Sequence, residues 1–321
     1  MENKVISIVV PCFNEEETLH ILYEELNKVT STMEAYAFEY VFVNDGSKDQ
    51  TLLKLMELSE QDSKVKYVSF SRNFGKEAAL LAGLEYATGD MIATMDADMQ
   101  DPPSLLPELV GYVESGLYDN AATRRVTRKG EPVIRSFFAR TFYKMMRHMT
   151  DIEIVDGARD YRVMSRAMVD AILSLQEYNR FSKGIFAWVG FETKWVEFEN
   201  VERAAGETKW NFWKLLRYSV EGIVSFSNTP IHLASYLGLV LTFLSLVAMI
   251  FVFIRALIFG DDVAGWPSLV CIITFIGGVQ MFVMGVMGQY ISKTYMEVKR
   301  RPHYIVKDTN VTKEKETPKN K

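Results

Sequence analysis

The chain is built around the sequence Met91-Ile92-Ala93-Thr94-Met95-Asp96-Ala97-Asp98-Met99-Gln100. Side chains alternate along an extended segment, so Asp96 and Asp98 are predicted to project to the same side. A buried strand that ends in acids indicates a ligand site at the carboxyl edge of an open α/β sheet. Two carboxylates at that edge suit Mg²⁺ or Mn²⁺ held against a diphosphate. An acidic turn without a ligand is the alternative interpretation of so short a motif.

Three earlier segments share one pattern, an apolar run that ends in polar residues: Val5–Val10, Tyr40–Val43 and Val65–Phe70. Asn14 is expected to cap a helix that runs to about Thr30, and Glu77–Ala87 is expected to form the helix before Met91. Strands that alternate with helices at this spacing predict right-handed crossovers and a parallel sheet. The polar strand ends, which include Asp45, would then meet at one edge of the sheet.

Composition narrows the classes of function. The chain has 321 residues, a net charge of −5 and 48% hydrophobic residues, so nothing indicates binding to nucleic acid. Two cysteines, Cys12 and Cys271, do not indicate a disulfide framework, and Val5–Val10 is too short for a signal peptide. The first strand is followed by neither Gly-x-x-x-x-Gly-Lys-Ser/Thr nor Gly-x-Gly-x-x-Gly. This argues against an NTPase or a dinucleotide-dependent oxidoreductase.

The C-terminal third carries two apolar segments, Leu233–Ile254 and Trp266–Ser292, each long enough to cross the ~30 Å hydrocarbon layer of a membrane. Basic residues flank the pair on both outer sides, and the short connector carries Asp261 and Asp262. The positive-inside rule then places both termini in the cytoplasm. The sequence therefore predicts a multi-pass plasma-membrane protein with a cytosolic N-terminal domain. Buried helices of a soluble domain are the alternative.

Two other segments, 132–149 and 210–226, combine a basic stripe with an apolar face. Both are predicted to be amphipathic helices at the membrane interface. The alternative is an ordinary surface helix for 132–149 and a core helix for 210–226. The predicted organisation is a catalytic domain over residues 1–209, a juxtamembrane helix over 210–230, and two transmembrane helices within 231–292 (about 233–256 and 266–292). A basic tail over 293–321 follows, and it is expected to be disordered after Lys307.

Motifs along the chain resemble those of inverting glycosyltransferases of family 2, whose catalytic domain has the Rossmann-like GT-A fold. The motifs of the N-terminal half are Val9-Val10-Pro11-Cys12-Phe13-Asn14-Glu15-Glu16, Val43-Asn44-Asp45-Gly46-Ser47, Arg72-Asn73-Phe74-Gly75-Lys76 and Asp96-Ala97-Asp98-Met99-Gln100-Asp101-Pro102. Those further along are Asp160-Tyr161-Arg162-Val163-Met164-Ser165-Arg166, Arg203 with Gly206-Glu207-Thr208-Lys209-Trp210, and Lys299-Arg300-Arg301-Pro302-His303-Tyr304. With the two apolar spans, they narrow the resemblance to polyprenyl-phosphate glycosyltransferases, the group that contains dolichol-phosphate mannose synthases. Within that group the chain looks most like bacterial undecaprenyl-phosphate glucosyl- or N-acetylglucosaminyltransferases, over about residues 5–306.

The resemblance implies roles for individual residues. The nucleotide sugar would contact Pro11, Phe13, Glu15, Val43, Asp45, Asp96, Ala97, Asp98 and Arg124. The metal would be held by Asp98, Gln100 and Asp96. The acceptor phosphate would be held by Arg135, Arg140 and Arg162. Catalysis would depend on Asp160 as base and on Asp96, Arg203 and Lys209 around the diphosphate.

Two positions depart from the family pattern. Asn44 stands where many relatives have aspartate, and Arg159 precedes Asp160 where glycine or serine is common. These departures fall beside Asp160 and at the predicted contacts with the nucleotide base. A surface ion pair between Asp160 and Arg162 is the alternative interpretation of those two residues.

The implied reaction transfers glucose or N-acetylglucosamine from a UDP-sugar to undecaprenyl phosphate with inversion, using Mg²⁺ or Mn²⁺. Its product would be a lipid-linked sugar donor for cell-envelope glycosylation. A phosphate monoester is largely dianionic at neutral pH, so Asp160 would either abstract a proton or align the acceptor. The alternatives are a GDP-mannose-dependent mannosyltransferase, a processive polysaccharide synthase, disfavoured because no Gln-x-x-Arg-Trp run occurs, and a non-catalytic membrane scaffold. Relatives suggest a homotetramer, and the pathway would include a flippase and a lumen-side glycosyltransferase.

Overall fold

The structure is a computed structural model that describes residues 4–126, 155, 157–198, 229–259 and 265–311. Over these ranges the chain forms one eight-stranded sheet with helices on both faces, and two long helices follow it. The strands are β1 (Lys4–Cys12), β2 (Tyr36–Asn44), β3 (Val65–Phe70), β4 (Met91–Thr94), β5 (Asn120–Arg125), β6 (Ala158–Ser165), β7 (Thr193–Phe198) and β8 (Val306–Thr309). The helices are α1 (Leu19–Thr30), α2 (Thr51–Gln61), α3 (Lys76–Tyr86), α4 (Leu106–Glu114), α5 (Arg166–Ser174), α6 (Ser182–Trp188), α7 (Thr229–Phe259) and α8 (Trp266–Lys299).

The sheet has the strand order β7-β5-β6-β4-β1-β2-β3-β8. Strands β3, β2, β1 and β4 are mutually parallel, which confirms the prediction for the first half of the domain. The remaining strands, which the sequence analysis did not predict, make the sheet mixed, because β6 runs antiparallel to both β4 and β5, and β8 runs antiparallel to β3. An antiparallel neighbour needs no crossover helix, and the apolar pattern of a strand does not encode its direction.

Apolar side chains on both faces of the central strands form the core. On β1, Ile6 and Ile8 are fully buried in one cluster with side chains of α1 and α4, whereas Val9 is buried on the opposite face against α3. Burial on both faces accounts for the continuous apolar runs that predicted these strands. Helix α3 lies so close to β1 that a Cβ on Gly83 would come within 2.1 Å of Val9 Cγ1. Only glycine therefore permits this packing without a shift of α3 or β1.

The first helix begins later than the sequence suggests. Helix α1 starts at Leu19, and Asn14 is not its N-cap, so that prediction is wrong. Asn14 instead has a left-handed backbone with φ of 54°, a conformation that asparagine tolerates better than most residues. Its Oδ1 accepts a hydrogen bond from the Lys48 amide at 2.9 Å, and its own amide donates to Ser47 Oγ. The loop after β1 is therefore joined to the loop after β2, where the nucleotide contacts are predicted.

The two long helices correspond to the two predicted spans. The stretch Phe275–Lys299 of α8 is long and apolar enough to cross a membrane, and its apolar window is not buried in the protein. Helix α7 covers the other predicted span, whose membrane insertion stays a prediction. The predicted amphipathic segments 132–149 and 210–226 lie outside the described residues.

The chain after α8 returns to the eight-stranded sheet as β8. Tyr304 stacks on Phe70 with ring centroids 4.7 Å apart, and its hydroxyl donates to Glu85 at 2.5 Å. Asn310 accepts from the Tyr67 amide at 2.8 Å. The prediction of disorder directly after Lys307 is therefore wrong for Asp308 to Val311, because a polar segment can still form a strand by pairing with an open sheet edge.

Truncation of the chain after Arg301 is expected to lower the apparent unfolding temperature by roughly 5 °C or more. Burying one aromatic side chain contributes about 1.5–3 kcal/mol, and Tyr304 is lost together with the β8 hydrogen bonds. The matched control is truncation after Val311, which keeps β8. The measurement is the thermal unfolding of both purified proteins in the same detergent. Equal unfolding temperatures would show that β8 does not stabilise the sheet.

Candidate active site

The acids of the central motif lie in a turn. Strand β4 ends at Thr94, and Met99 has a left-handed backbone with φ of 59°, so Asp96 and Asp98 are not on an extended segment. The prediction that strand alternation directs them to one side is therefore wrong. Asp98 Oδ1 accepts from the Gln100 amide at 3.2 Å, which stabilises the turn. We call residues 96–101 the acidic loop.

Lys76 joins the acidic loop to Asp160. Its Nζ lies 2.6 Å from Asp96 Oδ1 and 2.5 Å from Asp160 Oδ2, so one ammonium group pairs with both predicted catalytic acids. The Lys76 side chain is 47% exposed, whereas those of Asp96 and Asp160 are 23% and 19% exposed. Lys76 is therefore the most exposed of the three side chains, although its ammonium group lies between two largely buried carboxylates.

Pairing between strands brings Asp160 to this position. Thr94 of β4 is in register with Arg162 of β6, and Thr94 Oγ1 donates to the Asp160 carbonyl oxygen at 2.6 Å. Burial alone would raise the pKa of the Asp160 carboxyl, but Lys76 and then Lys183 overcome it and hold that pKa well below its usual range. Asp160 is therefore a carboxylate at any physiological pH.

Arg159 contacts the far end of the acidic loop. Its Nε donates to Asp101 Oδ1 at 2.8 Å, and its NH2 group donates to Gln100 Oε1 at 3.3 Å. Burial raises the pKa of Asp101 to about 6 although the Arg159 charge opposes this. Burial would lower the pKa of Arg159, but Asp101, Asp96 and Asp98 outweigh it and raise that pKa. The departure from the family pattern at position 159 thus places a guanidinium group against predicted metal ligands.

Arg162 lies beneath the site and is only 2% exposed. Its guanidinium carbon lies 3.8 Å from the centroid of the Phe186 ring, and NH2 donates to the Arg159 carbonyl at 3.0 Å. Burial lowers its pKa to about 10. Its Nε has no hydrogen-bond partner in the part of the chain that the structure describes. The Arg162 side chain therefore packs between β6 and Phe186 of α6, and its predicted contact with the acceptor phosphate stays a prediction.

Asp45 holds two loops of the sheet edge together. Its carboxylate accepts from the amides of Phe74 at 2.6 Å and Gly75 at 3.0 Å, and the side chain is almost fully buried. Burial raises its pKa to about 6, although both amide hydrogen bonds oppose the shift. The adjacent Gly46 has φ of +64°, and a Cβ there would lie 2.4 Å from the Arg72 carbonyl carbon. The Asn44-Asp45-Gly46 turn thus fixes the loop that leads to Lys76.

The other predicted nucleotide contacts cluster at the same edge. Pro11 of β1 is in register with Val43 of β2, and Phe13 and Glu15 follow on the half-buried loop after β1. Glu15 is tied to that loop, since its carboxylate accepts from Thr18 Oγ1 at 3.0 Å. Strands β1 and β2 therefore bring four of the predicted residues together near Asp45.

The remaining predicted site residues are more scattered. Ala97 is buried in the acidic loop, whereas Arg124 lies on β5 with its side chain 42% exposed and its NH2 group 4.0 Å from Glu197 Oε1. Four predicted residues lie outside the described ranges: Arg135, Arg140, Arg203 and Lys209. Their roles stay predictions.

Sequence reasoning did not assign a role to Lys76 or Lys183. Lys76 is the first residue of α3, and a cation at a helix N-terminus opposes the helix dipole. That unfavourable position was the signal that could have identified it. Lys183 has no comparable signal in the sequence. Only the fold brings its Nζ to within 3.0 Å of the carbonyl oxygen of Ala158, the first residue of β6.

The four parallel strands β3-β2-β1-β4, with helices on both faces and a candidate site at their carboxyl ends, are typical of open α/β folds. The sequence profile of glycosyl transferase family 2 matches residues 7–173. The prophage bactoprenol glucosyl transferase homolog of Escherichia coli (strain K12) is 42% identical over 94% of this chain and 98% of its own length. The bactoprenol glucosyl transferase of Shigella phage SfII is 41% identical over 95% of this chain and 98% of its own. The chain therefore belongs to glycosyl transferase family 2, and it is a glycosyltransferase with a GT-A-like α/β domain.

A solved structure of glucosyl-3-phosphoglycerate synthase from Mycobacterium tuberculosis, in complex with Mn²⁺, UDP-glucose and phosphoglyceric acid, superposes on the chain with a TM-score of 0.48. The sequence identity is 20%, over 69% of this chain and 78% of that one.

Proposed function

We propose that the protein transfers a sugar from a UDP-sugar to a polyprenyl phosphate, undecaprenyl phosphate in the first instance, at the cytosolic face of the plasma membrane. Glucose is the first choice of sugar and N-acetylglucosamine the second. The observation that carries the proposal is similarity along almost the whole chain to bactoprenol glucosyl transferases. The product would be a lipid-linked sugar, which a flippase and a lumen-side glycosyltransferase would use for cell-envelope glycosylation.

The donor would bind at the carboxyl edge of β1, β2 and β4. The base and ribose would lie against Pro11, Phe13, Glu15, Val43 and Asp45, and the diphosphate would lie near the acidic loop. Arg203 and Lys209 would close over it, with Arg124 on the donor side.

The acidic loop fits a divalent cation that arrives with the diphosphate. Across the described ranges, no group of three or more His, Cys, Asp or Glu side chains is placed to hold a metal ion alone. Mg²⁺ and Mn²⁺ at phosphate sites commonly use one or two carboxylates and complete their coordination with phosphate oxygens. Asp96, Asp98 and Gln100 would supply the protein oxygens here. When bound, the cation would neutralise the charge that develops on the leaving diphosphate.

The acceptor phosphate would attack the anomeric carbon opposite the leaving group, so the configuration inverts. Its second pKa lies near ~6, so it needs little help to lose a proton. Asp160 is held as a carboxylate by Lys76, and we assign it the alignment of the acceptor and of Lys76. Arg135, Arg140 and Arg162 would then neutralise the acceptor phosphate.

The membrane part would keep this site at the lipid surface. We propose that α7 and α8 form a transmembrane hairpin, that both termini are cytoplasmic, and that the segments 132–149 and 210–226 lie at the interface. The return of β8 to the catalytic sheet supports a fixed position of the domain beside α8. The assembly of four copies is an additional proposal from the family resemblance.

The test is release of nucleoside diphosphate by the purified full-length protein with Mn²⁺. UDP-glucose, UDP-N-acetylglucosamine and GDP-mannose would each be supplied with and without undecaprenyl phosphate. Lipid-dependent release from UDP-glucose is the expected result. Lipid-dependent release from GDP-mannose alone would replace it with the mannosyltransferase alternative. Absence of lipid-dependent release from all three donors, by folded protein, would contradict the proposal and favour a scaffold.

A further inference from the structure

Arg159 makes a two-pronged contact with the acidic loop. Its Nε donates to Asp101 Oδ1 and its NH2 group donates to Gln100 Oε1, at the distances given above. The side chain is 21% exposed, so most of it is shielded from solvent. A planar guanidinium group can satisfy two acceptors at fixed positions, whereas the single ammonium of lysine cannot reproduce this geometry.

Asp101 gives this contact its rigidity. Its side chain is fully buried and 0% exposed, and Arg159 is its ion-pair partner. The other oxygen, Oδ2, has no hydrogen-bond partner among the residues that the structure describes. A buried carboxylate with one oxygen unsatisfied depends strongly on its remaining partner, so Arg159 determines where this end of the acidic loop lies.

Gln100 transmits the effect to the predicted metal ligands. Arginine is only a donor, so it orients the amide of Gln100 with Oε1 towards itself. That oxygen has two lone pairs, and one remains for a cation when the other accepts from Arg159. A ligand oxygen that is already fixed loses less conformational freedom when a metal binds than one on a mobile glutamine.

We propose that Arg159 is a positioning residue for the metal site of this enzyme. It holds Gln100 and Asp101 in the arrangement that binds the divalent cation of the donor complex. The inference rests on the proposed metal-dependent function, and it assigns to position 159 a role that acts through Gln100 rather than through contact with substrate.

The test is the Mn²⁺ dissociation constant of the full-length protein in detergent, measured by electron paramagnetic resonance of free Mn²⁺ at saturating UDP. Arg159→Lys keeps the positive charge beside Asp101 but loses the fork, and it is expected to weaken Mn²⁺ binding by about 10-fold. Arg166→Lys is the matched control. Arg166 also donates through its fork, to the carbonyls of Ala87 and Gly89, before β4 and away from the acidic loop. The Arg166→Lys variant is expected to have a Mn²⁺ dissociation constant within about twofold of the wild-type value, because Arg166 contacts no predicted metal ligand.

A double-mutant cycle with Gln100→Ala separates positioning from a general effect on the fold. If Arg159 acts through Gln100, Arg159→Lys weakens Mn²⁺ binding in the wild type but adds little in the Gln100→Ala background. Additive losses, or unchanged affinity in Arg159→Lys, would overturn the proposal. Unfolding temperatures identify variants that fail to fold, and Arg159→Gln then serves as the second substitution. Wild-type protein that binds no Mn²⁺ with UDP would contradict the metal part of the proposed function as well, whereas wild-type binding with an unaffected variant would overturn this inference alone.

Discussion

Lys76→Met is expected to lower the rate of sugar transfer by about 10²–10³-fold. The substitution keeps most of the apolar stem but removes the ammonium group that pairs with Asp96 and Asp160. Without it, the two carboxylates repel each other at short range and the site gains negative charge where a diphosphate and a phosphate must bind. Both substrates are anions, so the loss affects binding and alignment together.

The unfolding temperature is expected to fall as well, because the variant leaves the largely buried carboxylates of Asp96 and Asp160 without their shared cation. Lys64→Met is the matched control, since Lys64 is an exposed lysine just before β3. Steady-state transfer from UDP-glucose to undecaprenyl phosphate would be measured for both variants, together with their unfolding temperatures. A Lys76→Met protein that is folded and retains more than about a tenth of wild-type kcat/KM would contradict the role given to Lys76.

The sequence was sufficient for the part of the fold whose signals are local. Continuous apolar runs identified β1, β2, β3 and β4, and the polar residues after them identified the edge where Asp45 and the acidic loop meet. The directions of β6 and β8 could not be predicted, because they depend on which strand edges are left open by the rest of the sheet. The tail after α8 illustrates this, since only the exposed edge of β3 makes its polar residues a strand.

The same distinction between local and long-range determinants applies to the candidate site. The acids were identifiable because two carboxylates directly after an apolar run are conspicuous in sequence. Their geometry was not, because it depends on the left-handed Met99 and on partners distant in the chain, Lys76 and Arg159. The surroundings of Arg162 could not be predicted either, because they depend on Phe186 and on the pairing of β4, β5 and β6, which are distant in the chain.

Asp160→Asn is expected to reduce kcat by about 10²-fold while leaving the shape of the pH profile unchanged between about pH 6 and pH 9. The unchanged pH profile follows from the direction of the pKa shift of Asp160. Burial would raise the pKa of Asp160, but the Lys76 and Lys183 ammonium groups hold it well below its usual range. The group is therefore ionised throughout the assay range and takes up protons only at much lower pH. Its removal deletes an aligning charge and a partner of Lys76, but no titration that the assay can detect.

The control for this substitution is a carboxylate whose removal is not expected to change the rate of transfer or its pH dependence. Asp170 serves as this control, because its side chain is 62% exposed on α5 and pairs with Arg166 at 3.6 Å, one turn away on the same helix. Wild type, Asp160→Asn and Asp170→Asn would be assayed for kcat and kcat/KM at each pH with saturating Mn²⁺. A rise in kcat or kcat/KM near pH ~6 that all three proteins share is assigned to the second ionisation of the acceptor phosphate. If the wild type shows a limb above pH 6 that Asp160→Asn lacks, Asp160 titrates within the assay range, and its assignment as a carboxylate throughout that range is wrong.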